Sequence, residues 1–95
     1  MRERLLITAR VAPRLPRGVR LRFDPIRERH VLLAPERLLL PDETAVAILQ
    51  SCNGRTSVFD IARSLAARFD SEADAIQRDV IELLQDLADR GFVRA

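Results

Sequence analysis

Apolar and basic residues alternate strictly over Val19-Arg20-Leu21-Arg22-Phe23, the period of a half-buried strand. Asp24-Pro25-Ile26-Arg27-Glu28 supplies turn chemistry after it, and His30-Val31-Leu32-Leu33 reads as a second strand. Ala34-Pro35-Glu36 makes another turn, and Arg37-Leu38-Leu39-Leu40 reads as a third strand. Three short strands joined by short turns predict an antiparallel meander. Before them, Pro13 and Pro16 hold their neighbours extended, so residues 1–17 read as an irregular arm and 18–95 as one domain.

After Leu40 the period changes to that of a helix. Pro41-Asp42-Glu43 starts the first helix, with Ala45, Ile48 and Leu49 at helical spacing, and Asn53-Gly54 ends it with residues that accept the left-handed conformation. Thr56 or Ser57 caps a second helix, whose core face is Val58, Ile61, Ala62, Leu65 and Phe69. Ser71 caps a third, which runs to Arg90, stops at Gly91 and lets Phe92-Val93 tuck back. The expected fold is α+β and winged-helix-like, a three-stranded antiparallel sheet followed by a three-helix bundle.

On the third helix, at ~100° per residue, Ile76, Val80, Leu83, Leu84 and Leu87 form a stripe about 100° wide. Gln77, Ile81, Leu84 and Ala88 form an apolar ledge on its shoulder, while Arg78, Glu82, Gln85 and Asp89 face away. The third strand is an edge of the meander, and unpaired edge amides are either covered or used. An extended peptide can add to Arg37–Leu40 as a fourth strand, with the ledge as a second wall. Coverage by the N-terminal arm or by a second copy is the competing possibility, the latter giving a purely structural dimer. A monomer, with strand exchange between copies at high concentration, is the expected state. Leu39→Pro would remove an edge donor in this reading.

Composition narrows the chemistry. The chain has 95 residues with a formal charge of +2, one cysteine, one histidine, and no lysine, tyrosine or tryptophan. A single histidine and cysteine cannot build a structural zinc site, and without lysine there is no Schiff base or phosphate-loop lysine. Gly18, Gly54 and Gly91 lie too far apart for a glycine-rich cradle. Cys52 reads as a small buried hydrophobe, His30 has no evident ligand partner, and Asp42-Glu43 read as helix-start residues. No catalysis and no cofactor are expected. Apolar runs such as Leu38 to Leu40 are far short of the ~20 residues that span a bilayer. The start Met1-Arg2-Glu3-Arg4-Leu5-Leu6-Ile7 briefly resembles a signal peptide, but Arg10 cuts the apolar stretch, so a cytoplasmic protein is expected.

Charge is uneven. Residues 1–40 hold ten arginines against four acids, and residues 41–95 hold six against ten. A winged-helix shape raises nucleic-acid binding as an alternative function. The third helix carries six acids and two arginines between Ser71 and Arg90, which phosphates repel. No aromatic residues interleave with Arg20, Arg22, Arg27 and Arg29 to stack bases, so nucleic acid is not an expected partner.

Gly18-Val19-Arg20-Leu21-Arg22-Phe23-Asp24, Val31-Leu32-Leu33-Ala34-Pro35-Glu36, and Ile48-Leu49-Gln50-Ser51-Cys52-Asn53-Gly54 with Thr56 and Ile61 resemble the PqqD family of pyrroloquinoline quinone (PQQ) biosynthesis. Asp79-Val80, Leu84 to Leu87 and Gly91 extend the resemblance, which covers about Pro13 to Val93. Asn53 stands where the family more often has Asp. The resemblance implies a small chaperone, a peptide-recognition element that binds the precursor peptide PqqA and presents it to the radical S-adenosylmethionine enzyme PqqE. It also implies a peptide lying along the third strand and third helix. Carried onto this chain, those positions are Arg37, Leu38, Leu39 and Leu40, with Gln77, Ile81, Leu84 and Ala88 opposite.

Overall fold

The computed structural model describes residues 4–95; Met1-Arg2-Glu3, the beginning of the signal-like start, lies outside the described residues. Three strands, β1 (Arg20–Asp24), β2 (Arg29–Ala34) and β3 (Arg37–Leu39), precede three helices, α1 (Glu43–Gln50), α2 (Val58–Phe69) and α3 (Ala73–Asp89). The sheet order is β1-β2-β3 and both pairings are antiparallel. This is the expected order, but β3 ends at Leu39, so Leu40 lies just beyond the strand.

Both turns are made locally. The Asp24 carboxylate accepts the amides of Ile26 and Arg27 at 2.9 and 3.3 Å, and Glu28 closes that turn with φ 55°. Pro35-Glu36 is a two-residue loop in which Glu36 takes φ 60°. Register then places Leu21, Leu32 and Leu39 in one row across the sheet, facing the helices. Leu32, at the centre of that row, is fully buried, as expected where the sheet faces the core. Phe23 shares this side but is 55% exposed, because the sheet overhangs the helices there.

The helices pack Val58, Ile61 and Leu65 of α2 against Val80, Leu84 and Leu87 of α3, with Phe92 and Val93 buried after the chain reverses at Gly91. Caps differ in part from the sequence reading. Asp42 caps α1 through the amide of Ala45 at 2.8 Å and Ser57 caps α2, as the residue types predict. α3 is capped by Glu72, which accepts from Ala75, while the Ser71 hydroxyl turns back to the carbonyl of Phe69. Asp70, in the left-handed region, ends α2. Phe69 has the right helical angle for the core but is 49% exposed, because it ends α2 beyond the packed part. Among residues 53 and 54 only Gly54 takes positive φ, and a Cβ there would stand 3.3 Å from that of Arg14. The Asn53 carboxamide instead builds the next turn, accepting the amides of Arg55 and Thr56 at 2.8 Å.

The arm has no helix or named strand in its described part, yet it is bound to the body throughout. Its carbonyls at Ala9 and Val11 accept the amides of Phe59 and Val58, two of the donors that every helix start leaves unpaired. Ile7 is buried in the core cluster. Arg14 forms bridges to both Asn53 and Arg94.

Candidate peptide-binding groove

β3 pairs with β2 on one side only, so its other edge is open among the described residues. Hydrogen-bonded and non-hydrogen-bonded pairs alternate along an antiparallel ladder. Counting from Ala34–Arg37, the pair that closes the two-residue loop, Arg37 and Leu39 turn their backbone groups to β2 and Leu38 turns its own to the open edge. The Leu38 side chain, 42% exposed, lies on the sheet face away from the helices.

Beside this edge lies a cavity of about 210 Å³ lined by Leu32, Leu39, Leu40, Pro41, Ala45 and Leu49 on one wall and Leu83, Asp86, Leu87 and Arg90 on the other. The floor is apolar because the Leu32–Leu39 row and the inner side of α1 meet there. Asp86 and Arg90 supply the polar rim, joined by an exposed ion pair of 3.3 Å. At one end of the groove Arg37 donates to the carbonyl of Arg90 at 2.6 Å and stacks its guanidinium on Phe92 at 4.2 Å, tying the start of β3 to the end of α3. Arg29 donates to the carbonyls of Leu40 and Pro41, both at 3.1 Å, and fixes the chain where it leaves β3.

The strand residues named from sequence therefore sit together, but the helix residues do not join them. Leu84 is fully buried against α2. Ile81 and Ala88 are half-buried and pack on the core from the other shoulder of α3, and Gln77, also half-buried, lies on that shoulder. The groove wall is instead the shoulder of Leu83, Asp86 and Arg90, on the opposite side of the core stripe. Leu83 was the available signal, an apolar residue at the stripe's other margin.

The ledge shoulder borders the arm. The amide of Ile7 donates to the Gln85 carboxamide oxygen, and the Gln85 nitrogen donates to the carbonyl of Leu5, both at 2.9 Å. Arg4 clamps Asp89 through two bonds of 2.9 and 2.8 Å, and those bonds hold the Asp89 carboxyl below its usual pKa. Gln85, assigned to the solvent face by helical angle, is thus half-buried.

A larger cleft of about 730 Å³ opens between the β1–β2 turn and α1, lined by Phe23, His30, Val46 and Phe69 with Arg27, Arg29, Arg68, Glu28, Asp42 and Glu43. Phe23 and His30 stack edge to face at 5.3 Å. No group of three metal-ligating side chains occurs among the described residues. Burial pushes the Cys52 thiol up to about 12, so it is protonated and not a nucleophile at neutral pH. The open edge of β3 lies beside an apolar slot, an arrangement to which an extended chain can add as a further strand.

Known proteins share this sequence and fold. Residues 29–93 match the family model for coenzyme PQQ synthesis protein D (PqqD). The chain belongs to the PqqD family. A PqqA binding protein of Bradyrhizobium diazoefficiens is 54% identical over 81 residues, 85% of this chain and 79% of that one. The solution structure of the PqqD part of Methylobacterium extorquens PqqCD, described as a functional and stand-alone recognition element for ribosomally synthesised, modified peptides, superposes with a TM-score of 0.82 at 43% identity, covering 94% of this chain and 95% of that one. A crystal structure of PqqD from Xanthomonas campestris gives 0.61 at 42% identity over 94% and 99%. The PqqD fold, a three-stranded antiparallel sheet before three helices, is thus the fold of this chain. Among the described residues, no helix is long and apolar enough to cross a membrane.

Proposed function

We propose that this PqqD-family chain is a peptide-recognition element that binds the precursor PqqA and presents it to PqqE, with no catalysis of its own. The observation that carries the reading is the open edge of β3 beside the apolar groove against Leu83 and Leu87. The peptide adds as a fourth strand, exchanging backbone bonds with Leu38 and placing side chains between Leu39, Leu40 and α3. Arg37, Leu38, Leu39 and Leu40 are the contact residues on the strand side, and Leu83, Asp86, Leu87 and Arg90 replace Gln77, Ile81, Leu84 and Ala88 on the helix side. The name of the Bradyrhizobium relative and the description of the Methylobacterium structure support the ligand assignment. The acidic outer side of α3, with Asp79, Glu82 and Asp86, disfavours nucleic acid. A monomer in the cytoplasm goes with this reading, since a second copy on β3 would occupy the peptide's place.

Calorimetric titration of the protein with a synthetic Bradyrhizobium diazoefficiens PqqA peptide, with duplex DNA as control, tests the proposal. Saturable peptide binding with no DNA response is expected. A folded protein that binds no peptide overturns it.

A further inference from the structure

Away from the groove, the link between α1 and α2 brings together the parts of a self-modification. Asn53 is exposed and is followed by Gly54, which has no Cβ to crowd its own nitrogen. The fold itself requires glycine there, because residue 54 takes φ 79° and a Cβ would stand 3.3 Å from that of Arg14. The side-chain oxygen of Asn53 accepts the main-chain amides of Arg55 and Thr56, both at 2.8 Å. Its side-chain nitrogen donates to the Thr56 hydroxyl at 3.0 Å. Two amides converging on one carbonyl oxygen polarise its carbon and are placed to hold the negative charge that nucleophilic attack develops there. The nucleophile next along the chain is the Gly54 nitrogen, and its N–H is engaged by the carbonyl of Pro13 at 2.9 Å.

We propose that Asn53 is a deamidation site and that the N-terminal arm is its brake. While Pro13 holds the Gly54 amide, that nitrogen keeps its proton and its place. When the arm lifts, the nitrogen gives its proton to water and attacks the side-chain carbon of Asn53. The new N–C bond closes a succinimide as the bond to the side-chain nitrogen breaks, and ammonia leaves with a proton taken from water. Water then opens the ring at either carbonyl to give Asp or isoaspartate, with no oxidation or reduction. The bonds from Arg55 and Thr56 are local, two and three residues away, so the carbonyl stays activated with the arm lifted. An Asp product accepts the same two amides as a charged and stronger acceptor. Isoaspartate adds a main-chain carbon where Arg14 pairs with residue 53 and breaks the register of that bridge. The modification thus records that the arm has been open.

The test follows the wild-type protein, Arg94→Pro and a synthetic fragment of residues 50–58 through warm incubation at neutral pH. Intact mass reads the exchange of ammonia for water, and peptide mapping locates it. Arg94→Pro removes the N–H that donates to the Arg14 carbonyl at 2.9 Å, loosening the arm without touching residues 53–56. Gln85→Ala, which frees the arm at Leu5 and Ile7, is a second variant for the same comparison. Circular dichroism checks each fold, and hydrogen exchange at the Gly54 amide gives the open fraction. The wild type is expected to deamidate on the order of 100-fold more slowly than the fragment, and Arg94→Pro about tenfold faster than the wild type. Across the folded variants the rate at Asn53 should rise in step with exchange at Gly54. Divided by the open fraction, it should exceed the rate of the fragment, as an activated carbonyl requires. A wild type as fast as the fragment, or faster Gly54 exchange with no faster loss of Asn53, overturns the brake. A corrected rate at or below that of the fragment overturns the activation.

Discussion

The two shoulders of α3 each carry an apolar residue at the margin of the core stripe, and they meet opposite fates. One carries Gln77, Ile81 and Ala88 and is bordered by Gln85, whose carboxamide grips the backbone at Leu5 and Ile7. The other carries Leu83, Asp86 and Arg90 and stands open across a slot from the edge of β3. An extended chain lies beside the first shoulder in this structure, held as a peptide ligand would be held, by paired amide bonds and an apolar side chain in the core. Among the described residues, the second is left without such a chain. The difference teaches that an apolar stripe margin on a helix reports a contact but not whether the contact belongs to the protein itself or to a guest.

Removing the anchor of the closed side gives the largest expected effect. Ile7→Ala deletes buried methyl groups from the core cluster and should cost about 2–5 kcal/mol in chemical denaturation, with peptide affinity of the folded fraction unchanged. A parallel loss of affinity would mean that the two shoulders are coupled. Leu38→Pro acts on the open side only. It removes the outward amide and should weaken PqqA binding on the order of 30-fold, with near-native stability by thermal melting. Leu39→Pro should instead damage the sheet, since that amide faces β2. Equal stability loss in the two proline variants would show that the edge register assigned here is wrong.

Smaller effects concern how tightly the arm is held. Gln85→Ala leaves the amide of Ile7 and the carbonyl of Leu5 to find water, and should cost about 1–2 kcal/mol, with faster amide exchange at Ile7 as the direct readout. The smallest is a pH effect. Asp89 has a lowered carboxyl pKa through its bonds with Arg4, so its contribution is present above the unfolded pKa and is lost as pH falls through the folded one. Below the usual carboxylate range, near pH 4 and under, exchange at Leu5 and Ile7 should quicken, and Asp89→Asn should remove that dependence.

Much of this was legible beforehand. The period-two run up to Phe23, the turn read at Ala34-Pro35-Glu36 and the stripe Val80, Leu84, Leu87 place the sheet and the main helix contact, because each is a local pattern that tertiary packing reinforces, although Ala34 proves to be the last residue of β2. The strand half of the groove followed from β3 being last in a meander. Its helix half did not, since helical angle gives a residue's direction and not what stands there. Gln85 shows the same limit, as a polar residue placed outward until the arm is known to pass over it. Glu72 displaced Ser71 as a cap by one residue, within the play that competing cap side chains allow. Leu39 could not be told from Leu38 as the edge donor without the loop length that fixes the alternation.

The double bridge at Arg14 bears on the order of folding. Its amide and carbonyl are both paired with Arg94, at 2.8 and 2.9 Å, and the neighbouring Pro13 carbonyl accepts from Gly54. The two hairpins and the α2–α3 pair join residues near in sequence, whereas this clasp must close nearly the whole chain upon itself, an entropic cost met only once the body exists to hold both segments. The clasp is therefore expected to assemble last and open first, and weakening it should accelerate unfolding while leaving the refolding rate nearly untouched, which stopped-flow kinetics would read.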